Sequence, residues 1–165
     1  MLSIHNKRIH SYHSVYFDTP ALLFYQQHHR DKRSRFKVRK RLYNLTNTAF
    51  LEVKEKTNQG RTIKTRASTA NNIEGITIAE RGELGTAFDI KNTNLSSVLT
   101  VNYNRISLAD FSTNQRLTID TNLNFISGNN SCTINNWAAV EVKPDLTDRL
   151  LPCKLSKIWA SAQTE

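Results

Sequence analysis

The strongest constraint on the fold is the phase between charged and apolar side chains in two neighbouring segments, SRFKVRKR at 34 to 41 and FLEVKEK at 50 to 56. Side chains of a strand alternate between its two faces, so Arg35, Lys37, Arg39 and Arg41 share one face, and Glu52, Lys54 and Lys56 share another. A third basic run, GRTIKTR at 60 to 66, follows at once. A row of cations beside a carboxylate is too costly to bury dry. It either faces bulk water or lines a space filled by a multiply charged anion.

The balance of 23 Lys plus Arg against 14 Asp plus Glu, a formal charge of +9, raises the local concentration of anions without choosing among nucleic acid, anionic lipid, inositol phosphates and polyphosphate. A length of 165 residues suits one domain with a core of its own. No apolar run approaches the roughly 18 residues that a membrane-spanning helix requires, and residues 1 to 10 lack the apolar middle of a signal peptide. These features predict a soluble, cytoplasmic chain. Cys132 and Cys153 are too few for a zinc-ligand pattern and read as free thiols.

Short strand signals dominate. Val15 to Phe17 reads as a strand end, followed by a helix through Leu22 to about His29, capped by Asp18 or Thr19 with Pro20 in its first position. Strands are expected at about 34 to 43, 49 to 57, 61 to 67 and 73 to 80, with Asn58, Gln59 and Gly60 turning the second into the third. A polar stretch at 82 to 96 has room for a short helix, and strands follow at about 98 to 108, 115 to 121, 123 to 126 and 137 to 143. A helical segment from about 146, interrupted by Pro152, is expected to end near Trp159.

Every ionic face has an apolar face behind it. Val140 and Val142 oppose Glu141 and Lys143, and Leu117 and Ile119 oppose Arg116, Thr118 and Asp120. An ordinary sheet buries the apolar side and wets the charged one. The alternative is a barrel of roughly eight strands with charges inward and helices packed outside, its interior satisfied by water, metal and anion. Glu52 in LEVKEK and Glu141 in VEVKPD sit in matching contexts, so converging strands would let the two carboxylates hold a divalent cation beside Lys54 and Lys143. His28 and His29 have no cysteine or carboxylate at ligand spacing.

In order, SVYFDTPALLFYQQH, RFKVRKRLY, FLEVKEKTNQGRTIKTR, YNRISL, QRLTIDTNLNF, AVEVKP and LSK resemble the VTC domain, the polyphosphate polymerase module of the vacuolar transporter chaperone family, in its bacterial form. The resemblance spans about 12 to 160 and implies a triphosphate tunnel metalloenzyme, CYTH-like in fold: a mostly β, α+β architecture with an antiparallel β-barrel of about eight strands and outer helices. It assigns phosphate binding to Lys37, Arg39, Lys54, Lys64, Arg105, Arg116, Lys154 and Lys157, which Lys143 joins through the repeated E-V-K, with Lys37, Arg39, Lys54, Arg105, Arg116 and Lys157 carrying catalysis. Glu141 becomes the metal carboxylate and Glu52 a second acidic group, for Mn²⁺ or Mg²⁺.

One departure stands out. The acidic and basic motif that opens the family's first strand has no counterpart before Val15, since Ile4 to Tyr12 holds Lys7 and Arg8 but no Asp or Glu. The expectation is therefore a single domain over 1 to 165 that lacks the first tunnel strand.

The implied activity is transfer of the terminal phosphoryl group of ATP to a growing inorganic polyphosphate chain. The alternatives are hydrolysis of triphosphate or short polyphosphate on the same fold, and a module that binds polyphosphate, or less readily RNA, without transforming it. No DNA partner is expected, because the most basic run interleaves only Phe36 among its cations. A membrane association would come through a partner protein. Charge phase sets Lys40 opposite to Arg39, and the basic residues outside the family pattern, Arg33, Arg35, Lys40 and Arg41, read as a solvated rim or a charged funnel.

Overall fold

The computed structural model describes residues 7–69, 72–83, 94–112, 115–143 and 159–161. Its elements are β1 (Ile9–Asp18), α1 (Leu23–His29), β2 (Arg35–Tyr43), β3 (Thr48–Lys56), β4 (Thr62–Thr69), α2 (Ile78–Glu83), β5 (Ser96–Asp110), β6 (Gln115–Ser127), β7 (Asn130–Ile134), β8 (Trp137–Lys143) and β9 (Trp159–Ser161).

All nine strands join one sheet in the order β4-β3-β2-β1-β5-β6-β8-β9, with β7 pairing β6 off this path. The path is open, because β4 and β9 stand at its two ends rather than pairing with each other. The expected closed barrel is therefore corrected to an open antiparallel sheet with two short helices among the described residues. Alternation of charged and apolar side chains specifies which face each residue takes, but an open and a closed sheet share that alternation.

The chain divides into two compact units. The larger holds residues 13–101 and 126–130, and the other holds 1–12, 102–125 and 131–165. The core belongs to the larger unit, where Val15, Phe17, Phe24, Val38, Leu51 and Val53 pack together and Leu51 is fully enclosed. Truncating such a side chain leaves a cavity and costs about 2–5 kcal/mol.

Several boundaries differ from the sequence reading. A ten-residue strand, β1, stands where only a strand end was expected, and it pairs between β2 and β5. Helix α1 begins beyond Pro20, after Leu22 turns left-handed with φ 53°. Asp18 still serves the first turn: its Oδ1 accepts from the Phe24 N–H at 2.9 Å and its Oδ2 from the Tyr25 N–H at 2.8 Å. The strand expected at 73 to 80 gives way to irregular chain and α2.

The sequence Thr77-Ile78-Ala79-Glu80 explains that switch. The Thr77 N–H donates to Glu80 Oε2 at 2.8 Å and the Glu80 N–H donates to Thr77 Oγ1 at 3.3 Å, a reciprocal capping box that outweighs the local alternation. Residues 84–93 lie outside the described ones, and with them most of the stretch at 82 to 96 where a short helix was expected.

Strands expected at 115 to 121 and 123 to 126 are one strand, β6, and Gly128, with φ 55°, turns it into β7. The end of the expected terminal helix is instead strand β9, whose Trp159 pairs with Ala139, while 144–158 lie outside the described residues. Among the described residues no helix is long and apolar enough to cross a membrane. Cys132 is an exposed free thiol, and Cys153 lies outside the described residues.

Candidate anion-binding site

Register turns three basic segments into one surface. In β2–β3 Lys37 pairs with Lys54 and Arg39 with Glu52; in β3–β4 Lys54 pairs with Lys64 and Glu52 with Arg66. Lys37, Lys54 and Lys64 therefore form a row across three strands, all exposed, at an inter-strand spacing of about 4.8 Å. No carboxylate interrupts the row. Like charges directly opposite each other repel by about 0.2–1 kcal/mol per pair, and an anion laid along the row turns that repulsion into attraction.

The next row is internally compensated. Glu52 Oε2 accepts from Arg39 Nε at 2.7 Å, with Arg39 Nη2 also 2.7 Å away, and Glu52 Oε1 lies 3.7 Å from Arg66 Nε. Arg39 Nη1 donates to the Tyr16 hydroxyl at 3.2 Å, and the Tyr16 ring lies 5.7 Å from Lys37 Nζ and 5.9 Å from the Arg39 guanidinium carbon. Burial opposes the charge on Arg39, but Tyr16 and Glu52 more than offset it and hold its pKa above the ordinary value. Burial likewise opposes ionisation of Tyr16, and the charge and hydrogen bond of Arg39, aided by Lys37 and Arg41, reverse the balance and lower its pKa.

The expected solvated rim does not hold for Lys40 or Arg41. Lys40 is 1 % exposed; its Nζ donates to Glu80 Oε1 at 2.9 Å and to the Asn72 carbonyl at 3.0 Å, tying α2 and the chain before it to the sheet. Arg41 is buried and its Nε donates to Ser14 Oγ at 3.2 Å, while Arg35 pairs with Asp31. Face assignment by alternation held for Lys40. What failed was the inference that the face away from Arg39 is wet, because the segment carrying Glu80 covers it.

The smaller unit carries its own charged face. Arg105 grips Asp120 with two bonds, Nε to Oδ1 and Nη2 to Oδ2, both 2.6 Å, and the rings of Tyr12 and Tyr103 lie 5.5 and 5.3 Å from its guanidinium carbon. Burial opposes its charge, yet the Asp120 bonds outweigh that and raise its pKa. Arg116 pairs with Lys143 and Thr118 with Glu141 across β6–β8, and Lys143 Nζ lies 3.7 Å from Glu141 Oε2. Lys154 and Lys157 lie outside the described residues.

A family model described as VTC domain matches residues 1–152. The chain belongs to the VTC domain family. Among solved structures, that of a presumptive adenylate cyclase from Bacillus halodurans aligns at 12 % identity and a TM-score of 0.46, covering 76 % of this chain and 63 % of that one. No curated protein matches the sequence. Membership accords with a polyphosphate-related function and with phosphotransferase-like chemistry at the level of the family.

Metal binding by this VTC domain is a narrower matter. Among the described residues no three His, Cys, Asp or Glu side chains gather as a cation site. Glu52 is occupied by two arginines, and Glu141, 48 % exposed, stands beside Lys143. Such a donor set does not hold a resident ion by itself. One carboxylate suffices only for a cation that arrives already ligated by substrate phosphates, the usual manner of Mg²⁺. His28 is excluded as a ligand through Nε2, which donates to the Phe36 carbonyl at 3.1 Å.

Sequence reasoning passed over Tyr16, Arg66 and the Lys40–Glu80 pair. The last was legible in part, since Thr77-Ile78-Ala79-Glu80 has the spacing of a capping box. Tyr16 and Arg66 depend on pairing between strands, which no single segment displays.

Proposed function

We propose that this VTC domain binds inorganic polyphosphate on its basic sheet face and extends it with the terminal phosphoryl group of ATP. The observation that carries the reading is the in-register row Lys37–Lys54–Lys64. A row of ammonium groups matches a linear polyanion, whose charges also recur along a line. Each contact is a charge-assisted hydrogen bond worth about 1.5–3 kcal/mol.

In the proposed reaction a terminal oxygen of the polyphosphate chain attacks the γ-phosphorus of ATP. The bond from that phosphorus to the β,γ-bridging oxygen breaks, and ADP leaves with the electron pair. The transition state spreads charge over the equatorial oxygens, so alignment and cationic stabilisation are the main demands on the protein. Lys37, Lys54 and Lys64 meet them on one face, and Arg39 beside them is held by Glu52 and Tyr16. No side-chain nucleophile is needed. Glu141 is the proposed carboxylate for Mn²⁺ or Mg²⁺ carried in on the donor phosphates.

The test is incubation with ATP and Mn²⁺ or Mg²⁺, followed by detection of polymer and of orthophosphate. Polymer that lengthens with time supports synthesis, and orthophosphate as the only product at every ATP concentration would replace it with hydrolysis. A second reading, binding without turnover, is favoured by the engagement of Glu52 with Arg39 and Arg66. It predicts that polyphosphate is retained without a divalent ion and that no product forms, whereas the polymerase loses turnover in Glu141→Gln.

A further inference from the structure

The Arg66 guanidinium lies over an aromatic ring. Its guanidinium carbon is 3.5 Å from the centroid of Phe50 and 5.4 Å from that of Tyr43, and the two rings meet edge to face at 5.7 Å. A separation of 3.5 Å is van der Waals contact over the ring face, so Phe50 covers one side of the guanidinium plane. The Arg66 side chain is nevertheless 47 % exposed, and its Nε stands 3.7 Å from Glu52 Oε1. One side of the plane is backed and one edge is steered by a carboxylate. The outer side is open.

Phosphate binding does not call for this arrangement. A phosphate takes the edge of a guanidinium, through its N–H groups, whereas a flat arginine over aromatic rings is what a nucleobase stacks on. Placement adds a second constraint. Arg66 is two residues from Lys64 on the same face of β4, which sets the plane about 7 Å along the strand from the lysine row. A ribose spans that order of distance between a base and its phosphates.

We propose that Arg66, backed by Phe50 and Tyr43, stacks the base of a nucleoside triphosphate whose phosphates lie along Lys37, Lys54 and Lys64. The inference rests on the reading of the donor as a nucleoside triphosphate, and it adds where the base goes. Every base has a π-face and the platform presents no pattern of donors and acceptors to a base edge, so GTP and UTP bind nearly as well as ATP.

The test compares ATP, ribose 5-triphosphate and inorganic tripolyphosphate by calorimetry on the full chain at one salt concentration. ATP is expected to bind at least about five-fold more tightly than ribose 5-triphosphate, the low end of a base-stacking contribution. Arg66→Lys, which keeps the charge and loses the plane, abolishes that advantage and leaves tripolyphosphate affinity within about two-fold. Equal affinity of the wild-type chain for ATP and ribose 5-triphosphate overturns the proposal, as does an equal loss of ATP and tripolyphosphate affinity in Arg66→Lys. If the variant fails to fold, the wild-type comparison decides alone. A chain that prefers ATP over ribose 5-triphosphate but forms no polymer would sink the polymerase reading and leave the base platform standing.

Discussion

The face of β2–β3–β4 and the face of β6–β8 are built from the same residue types in the same alternation, yet they hold their charges differently. On the first, three lysines occupy one cross-strand row and the carboxylate Glu52 is confined to the adjacent row between Arg39 and Arg66. On the second, Arg116 faces Lys143, but Glu141 sits in the next row within 3.7 Å of Lys143, and the neighbouring Arg105 is clasped by Asp120. Net charge does not distinguish them. The contacts of the carboxylate do: Glu52 is engaged by arginines of its own row, whereas Glu141 lies against Lys143 of the adjacent cationic row.

The largest expected effect separates cations that bind from cations that hold the fold. Lys40→Ala removes one partner of a pair whose side chains are 1 % and 11 % exposed, leaving Glu80 uncompensated, and is expected to destabilise the chain by about 3–5 kcal/mol. Chemical denaturation measures the loss. Lys40→Met combined with Glu80→Gln, which keeps an acceptor for the Thr77 N–H, should recover most of it. A Lys40→Ala chain as stable as wild type would return Lys40 to the solvated rim.

The same pair has a pH signature. Burial pushes the Glu80 carboxyl up, but hydrogen bonds from Lys40 and Thr77 outweigh it and hold the group below its ordinary value of 4.5. A carboxyl with a depressed folded pKa contributes stability that is present above the unfolded value and is lost as pH falls through the folded one. Stability should therefore decline as pH is lowered from 4.5, and it should decline less in the Lys40→Met, Glu80→Gln chain.

Next in size is Arg105. With two of its nitrogens committed to Asp120 at 2.6 Å, Arg105→Ala should cost about 2 kcal/mol of stability, and Arg105→Lys nearly as much, because an ammonium cannot reproduce the paired geometry. If either variant keeps wild-type stability while losing polyphosphate affinity, Arg105 grips phosphate as the family resemblance implies, and the two faces are more alike than their pairing suggests.

A smaller effect tests the comparison directly. Lys37→Ala or Lys64→Ala should lower polyphosphate affinity roughly ten-fold with stability unchanged within about 0.5 kcal/mol. Lys143→Ala, whose lysine already has Glu141 within 3.7 Å, should lower it less. Binding isotherms at one fixed salt concentration check this, since the affinity of every variant falls as salt rises. Equal losses at Lys64 and Lys143 would mean a general electrostatic surface.

Much of this arrangement was legible in the sequence because it follows from a period of two. Alternation alone put Lys37 with Arg39 and opposed Lys40 to them, and the turn at Gly60, with φ 79°, was legible, whereas the pairing of Lys64 with Lys54 rests on the register. Closure of the sheet was not legible, since pairing of a first strand with a last leaves no mark on either one's alternation. The cover over Lys40 escaped because Ile73, Ile76 and Ile78 imitate a strand, while the decisive contact, Lys40 with Glu80, joins residues forty apart. Tyr16 was missed for the same reason: its partners Arg39 and Lys37 lie on another strand.

Tyr16 supplies the smallest and most specific prediction. Its hydroxyl accepts from Arg39 Nη1 at 3.2 Å while its ring lies under Lys37 and Arg39, so it positions the cations of two adjacent rows. Tyr16→Phe keeps the ring and removes the acceptor, at a cost of about 0.5–1.5 kcal/mol near neutral pH. The phenol's folded pKa lies below its ordinary value of 10.0, because the effect of Arg39 and its neighbours exceeds that of burial. An acid with a depressed folded pKa releases its proton earlier in the folded state than in the unfolded one, so its contribution grows as pH rises through the folded value and is complete above the unfolded one. The stability gap between wild type and Tyr16→Phe should therefore widen on the alkaline side as pH approaches 10.0. A gap that stays constant with pH would mean that the Arg39–Tyr16 contact fixes geometry alone, with no stabilisation of a phenolate by the cations of β2.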